Sequence, residues 1–288
     1  MTLAGVAATL LVVAALVIAF GASRSGAAAA GEGSAVFGEA HQSSLTVALP
    51  PPSTDKIYGA LQARGRPIVV IDAGHGGRDP GARSVSGEVV EKDLTLALAR
   101  ELRDKLVERG RVRVAMTRDD DRYLTLDDRA AVARRLDAAM FVSIHIDSAV
   151  NPLARGASVY SLSDVASDAE AAQLAARENG ALASIGTGGS VQAMLSDLAM
   201  RSQMSASADL ASRLVNKSAG RFELRPQPHK FAAFYVLKSA QTPAVLFEAG
   251  YISNVDDEQL LRDPAHRSAI VLALAQAIEA DVAAHARH

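Results

Sequence analysis

The sequence predicts an α/β domain with one mixed, mostly parallel central sheet flanked by helices, interrupted by a helical insertion. Three observations predict it. Short apolar runs such as the β-branched Ile68-Val69-Val70-Ile71 and Ala244-Val245-Leu246-Phe247 recur along the chain. Segments with apolar residues four apart alternate with them, and the connections are short, which favours parallel strands joined by helices. A chain of 288 residues builds one sizeable core, and with 49% hydrophobic but 4% aromatic residues that core is made of Leu, Val, Ile and Ala.

In chain order, Leu3 to Ala22 is an uncharged apolar stretch of about the length that spans a ~30 Å hydrocarbon layer. Residues 1–22 therefore read as a signal peptide or a membrane anchor; the first basic residue, Arg24, follows the stretch, so the two alternatives stay open. Membrane contact is expected only through this segment. Residues 23–64 carry a Gly/Ala/Ser-rich run and a triple proline, Pro50 to Pro52, and read as a flexible tether. The folded domain is expected over 65–288. It opens with a buried strand, Pro67 to Asp72, and a glycine-rich turn, Gly74-His75-Gly76-Gly77. Leu94, Leu98, Leu102 and Leu106 draw a stripe on a helix that ends near Gly110. A strand over 112–117, a helix over 126–136 and strands over 140–146 and 157–162 follow. Residues 163–221, with Ala, Ser, Asp and Gln at helical spacing and a GTGG interruption at Gly186 to Gly189, form the insertion. Strands at Phe234 to Leu237 and Ala244 to Glu248 resume the sheet, and a helix over 264–284 closes the chain.

A formal net charge of -2 supplies no basic field, so nucleic acid is not an expected partner. The absence of cysteine excludes disulfides and thiolate metal sites.

Polar residues at the ends of apolar strands mark the expected site, because ligands of open α/β sheets gather at the carboxyl ends of the strands. His75 follows the first strand, His145 sits in Phe141-Val142-Ser143-Ile144-His145-Ile146-Asp147, and Glu248 ends Val245-Leu246-Phe247. Either histidine alone is as well explained by a hydrogen-bonded core position. Glu248 asks for a partner, since a carboxylate in an apolar strand loses several kcal/mol of hydration unless paired, protonated or bound to metal. Two imidazoles and a carboxylate suit catalytic zinc, with the fourth tetrahedral position left for water and a further glutamate as base. The HExxH helix is absent, so such groups would come from separate strands. Glu91, at a helix start, is equally at home there for electrostatic reasons.

The segments IVVIDAGHGGRDPGA (68–82), EKDLTLALA (91–99), MTRDDDRYLTLDDRAAVA (116–133), FVSIHIDSA (141–149) and FYVLKSAQTPAVLFEAGYISN (234–254) resemble the N-acetylmuramoyl-L-alanine amidases, zinc-dependent murein hydrolases. The resemblance implies zinc ligands at His75, Glu91 and His145 and the catalytic carboxylate at Glu248. It implies one Zn2+ per chain, peptidoglycan as substrate, and cleavage of the amide between N-acetylmuramic acid and L-alanine. The setting would be periplasmic or cell-envelope wall remodelling or daughter-cell separation. In the division-associated branch an inserted helix covers the groove until an activator protein displaces it. Ala171 to Asn179 resembles that helix and makes Glu178 the candidate autoinhibitory metal ligand; as an exposed helical glutamate it would need no such role. Asp72 and Asp147 are candidates for hydrogen-bond acceptors behind the imidazoles, with turn stabilisation as the alternative. Asn254 suits a helix cap, and His229 is a weaker candidate for the groove. Competing readings are another zinc amide hydrolase or peptidase, and a catalytically inactive wall-binding regulator on the same fold.

Overall fold

The computed structural model describes residues 55–59, 63–180 and 191–285. The apolar segment 1–22, nearly all of the expected tether and the GTGG stretch lie outside the described residues.

Among the described residues seven strands form one sheet: β1 (Ile57–Tyr58), β2 (Ile68–Ala73), β3 (Arg113–Met116), β4 (Met140–Asp147), β5 (Ala157–Leu162), β6 (Leu224–Ala232) and β7 (Ala244–Tyr251). Their spatial order is β1-β3-β2-β4-β7-β5-β6. The central run β3-β2-β4-β7 is parallel, β5 returns antiparallel to β7, and β6 pairs parallel with β5. β2, β4 and β7 are buried along their whole length, which is why their sequences are continuous apolar runs rather than alternating ones.

Side chains still alternate between two helical layers, as the period of two requires. Val69, Ile71 and Ala73 face a core shared with α1 (Glu91–Arg109), α4 (Val191–Ser218) and α7 (Pro264–His285). Ile68 and Val70 face a second core under α2 (Leu126–Arg135), α3 (Ala169–Asn179) and α5 (Tyr235–Ser239). The leucine stripe of α1 is buried as its spacing predicts, and Gly110 in the left-handed region (φ 65°) stops the helix. α2 starts on a capping box between Thr125 and Asp128. α7 has the length and mean hydropathy (1.3) of a membrane span, yet packs Ile270, Leu274 and Ile278 into the first core.

Two expectations are corrected. Phe234 to Leu237 is not a strand: Phe234 caps the short helix α5, and the edge strand is the preceding β6. β6 escapes the periodicity argument because its two prolines and exposed middle suit an edge, where missing ladder donors are tolerated. Last, the domain begins before residue 65. Ile57–Tyr58, assigned from sequence to the tether, pairs antiparallel with β3, and the Tyr58 hydroxyl donates to Asp119 at 2.7 Å.

Candidate metal and active site

Because β2, β4 and β7 run parallel, their carboxyl ends share one edge of the sheet. There His145 stands in register with Glu248 on the neighbouring strand. His75 follows β2 in a left-handed backbone conformation (φ 59°), which costs a non-glycine residue ~1–3 kcal/mol. Two glycines make room for the imidazoles. A Cβ on Gly74 would lie 2.6 Å from the His145 ring, and one on Gly81 (φ 65°) would lie 2.6 Å from Glu91 Oε2 and 2.7 Å from His75 Cδ2.

The two rings meet edge to face with centroids 5.0 Å apart. Glu91, buried in the first turn of α1, places Oε1 3.0 Å from His75 Nε2 and 3.2 Å from His145 Nδ1. Its oxygens are fixed by the backbone amides of Ile146 (3.0 Å) and Ala82 (2.9 Å). Glu178, next to the end of α3, sends Oε2 to 3.4 Å from His145 Nδ1 and 3.8 Å from His75 Nε2. Asp79 Oδ2 pairs with His75 Nδ1 at 2.9 Å, which orients the ring and leaves Nε2 for the site. Nε2 is buried and, although close to Glu91, makes no aligned hydrogen bond.

Burial opposes a charge on His75, but the Asp79 hydrogen bond and the Glu91 and Glu178 carboxylates outweigh it and push its pKa up to about 10. Burial acts on Glu91 in the opposite sense, and the two imidazoles hold it below the usual carboxylate range. Glu248 is driven well above that range by burial and by the charges of Asp147, Glu91 and Glu178, with Arg177 opposing. Among the described residues its Oε2 has no hydrogen-bond partner. Ligand atoms of His75, His145 and Glu178 lie within 4.8 Å of one another, with Glu91 Oε1 in contact with both imidazoles. Two nitrogen donors, two converging carboxylates and an orphaned Nε2 form a donor set that fits a divalent cation of the zinc type. A cleft of about 720 Å³ opens over these groups, walled by Tyr123, Leu124, Thr125, Phe234 and Val236.

Comparison with known proteins agrees with this geometry. The family profile described as N-acetylmuramoyl-L-alanine amidase matches residues 69–280. The chain belongs to that family. It is 37% identical over 225 residues to N-acetylmuramoyl-L-alanine amidase AmiA of Escherichia coli, covering 76% of this chain and 77% of that protein. It is 34% identical over 220 residues to AmiC of Neisseria meningitidis, covering 74% of this chain and 52% of the relative. The catalytic domain of the amidase CwlV from Bacillus (Paenibacillus) polymyxa var. colistinus superposes with a TM-score of 0.55 at 26% identity, covering 74% of this chain and 96% of that one. AmiC2 of Nostoc punctiforme gives 0.57 at 25% identity, covering 78% and 99%.

In this family member, His75, Glu91, His145 and Glu178 meet in one place, with Glu248 one strand away. Asp72 and Asp147 do not back the imidazoles. Asp72 points into the sheet, where it accepts from Arg129 (2.8 Å), Thr117 (2.6 Å) and Ser143 (2.7 Å). Asp147 accepts from Arg177 (2.8 Å) and from the Ser148 amide (2.7 Å). The imidazole partner is Asp79, in the quoted GHGGRDPGA motif, four residues on from His75. His229 lies within β6, bonded to Ser161 and outside the cleft lining. Asn254 caps α6 (Val255–Arg262) through the amides of Asp256 and Asp257.

Sequence reasoning also passed over two arginines in the MTRDDDRYLTLDDRAAVA motif. Arg118, fully buried, donates to the carbonyls of Ala73 (2.9 Å), Gly74 (2.7 Å), Lys92 (2.9 Å) and Asp120 (3.1 Å). Arg129 donates to Asp72, to the Ala73 carbonyl (2.7 Å) and to the His75 carbonyl (2.7 Å). A hydrogen bond from a charged donor contributes ~1.5–3 kcal/mol, enough to offset the backbone strain at His75. Their signal was basic residues in segments that also supply strand and helix.

Proposed function

We propose that this chain is a zinc-dependent N-acetylmuramoyl-L-alanine amidase of the cell envelope, held closed by its own inserted helix. The observation that carries the reading is the convergence of His75, His145, Glu91 and Glu178 beside the buried Glu248, whose Oε2 has no hydrogen-bond partner among the described residues. The substrate is the amide joining N-acetylmuramic acid to the L-alanine of the stem peptide, as the names of the relatives indicate. His75, His145 and Glu91 would hold the ion. When bound, zinc polarises the scissile carbonyl and brings the pKa of a water toward ~7.

The chain's own residues do the rest. Asp79 fixes the His75 ring so that Nε2 faces the site, and the Ile146 and Ala82 amides keep Glu91 from rotating away. Glu248 takes the proton of the attacking water on a carboxylate oxygen and returns it to the departing L-alanine nitrogen. In the closed state burial and the carboxylates of Asp147, Glu91 and Glu178 hold its pKa well above the usual carboxylate range.

Glu178 occupies the position that an incoming carbonyl or water needs. Its helix is held at that end by Arg177, on Asp147 and the Ser148 carbonyl (3.2 Å), and by Asn179, on the Ala233 carbonyl (2.7 Å) and the Tyr235 amide (2.7 Å). These contacts support a resting enzyme that an activator protein opens by displacing α3. The apolar residues 3–22 support export or anchoring, and residues after Ser23 support a tether that lets the domain reach the wall.

The test is Glu248→Gln in purified protein incubated with murein. The expected result is retained zinc and lost turnover, while the parent releases stem peptides that begin with L-alanine, read by mass spectrometry. Near-normal hydrolysis by the variant, or cleavage by the parent within the peptide, refutes the assignment.

A further inference from the structure

We infer that Arg118 and Arg129 are positioning residues for the metal set: two buried guanidiniums that fix the loop carrying His75 against the first turn of the helix carrying Glu91. The inference deepens the zinc-site reading and rests on it.

Arg118 is the piece that joins the two elements. One of its terminal nitrogens, Nη2, bonds both the Gly74 carbonyl, directly before His75, and the Lys92 carbonyl, directly after Glu91. The same nitrogen touches Thr95 Oγ1 (3.2 Å), which itself donates to the Gly74 carbonyl at 2.9 Å. Two prospective ligands on different elements, a loop and a helix, are thus bridged by one planar group. Arg129 completes the frame from the other side, holding the carbonyl of His75 itself and, through Asp72, the end of β2. Thr117 and Ser143 also donate to Asp72, so the frame reaches the strand that bears His145.

Fold stability is a poor account of these groups. Arg118 is completely buried, and among the described residues no carboxylate lies within ion-pair distance of it. An apolar side chain of similar volume commonly serves a core at least as well as a buried cation. What an apolar side chain cannot do is gather the carbonyls of residues 73, 74 and 92 and hold His75 in a left-handed conformation. Lysine is not equivalent either, since its ammonium lacks the planar fork that reaches several acceptors at fixed angles.

The experiment compares the full chain with Arg129→Lys, Arg118→Lys and a control, Arg109→Lys, whose arginine makes a two-bond pair with Glu279 on α7. Zinc affinity is measured by competition with a chromophoric chelator, the visible spectrum of the cobalt-substituted proteins reports ligand geometry, and circular dichroism with metal-free melts reports the fold. Removing groups that orient metal ligands typically weakens metal binding ~10–100-fold, and that loss with an altered cobalt spectrum is expected for Arg129→Lys and Arg118→Lys. Arg109→Lys is expected to bind like the parent. If Arg118→Lys does not fold, Arg129→Lys decides. Parent-like zinc affinity and cobalt spectrum in the folded variants overturn the inference, whether or not their metal-free melts fall. A parent that takes up no zinc overturns the functional reading itself, and the inference with it.

Discussion

Replacing Glu178 by alanine tests the closed state most directly, because the structure separates what that side chain does from what holds its helix. The start of α3 is fixed by the Asp168 cap on Ala171 and by Glu170, which accepts from Lys230, Arg225 (3.0 Å) and Tyr251 (2.8 Å). Its middle buries Ala171, Leu174 and Ala175. Glu178→Ala leaves all of this intact, together with the Arg177 contacts to Asp147 and the Ser148 carbonyl and the Asn179 contacts, so the helix stays folded and docked. What disappears is the carboxylate whose Oε2 lies 3.4 and 3.8 Å from the two imidazoles and whose Oε1 accepts from the adjacent Arg177 at 3.3 Å. A charged contact of this kind contributes ~1.5–3 kcal/mol, which corresponds to roughly a 10–100-fold rise in turnover without any partner. Arg177→Ala removes a half-exposed contact and is expected to give a smaller rise. The assay is release of dye-labelled murein fragments by the purified chain, with zinc content measured in parallel. Unchanged basal turnover at unchanged zinc content would refute the plug. So would loss of zinc from the variant, since Glu178 would then be an obligatory ligand rather than a displaceable one.

Other perturbations probe the same frame. Gly81→Ala places a methyl 2.6 Å from Glu91 Oε2 in a backbone conformation (φ 65°) that costs a side chain ~1–2 kcal/mol; zinc affinity is expected to fall sharply, and parent-like chelator competition would contradict the packing. In the metal-free protein His75, facing Asp79, Glu91 and Glu178, is raised from 6.5 to about 10. Its contribution to stability is therefore complete below pH 6.5 and lost as pH rises through about 10, so metal-free melts should fall across that window and His75→Gln should flatten the fall. Leu102→Ala empties a fully buried position of the α1 stripe and is expected to lower stability by ~2–5 kcal/mol in denaturant titration without altering zinc affinity.

The fold was legible where burial is uniform. β2, β4 and β7 are apolar over most of their length because both faces are covered, so composition alone located them; β7 runs on to Tyr251, three residues past the end expected at Glu248. β6 and β1 were not legible, since edge strands with exposed residues and prolines carry no apolar run. The site divided in the same way. His145 and Glu248 are polar interruptions of apolar sequence and announce themselves, whereas Glu91 begins an ordinary helix and acquires meaning only from the family resemblance and from its distances to the imidazoles. The partners of charged groups were least legible. Asp72 and Asp147 sit beside the histidines in sequence, but strand pleating turns Asp72 toward Arg129, and Asp147 is taken by Arg177 from the inserted helix.

That last pairing bears on how the enzyme would open. Arg177 and Glu178 leave together when α3 lifts, and they act on Glu248 in opposite directions: Glu178 raises its pKa and Arg177 lowers it. The departing helix would therefore carry away no net charge from the neighbourhood of Glu248, while Asp147 would lose its cation and Glu248 would gain solvent. Because burial is the largest influence on Glu248, hydration should lower its pKa on opening more than the unpaired Asp147 raises it. Opening would thus release the position that Glu178 fills and, in the same movement, bring Glu248 closer to the ionised form that a general base needs.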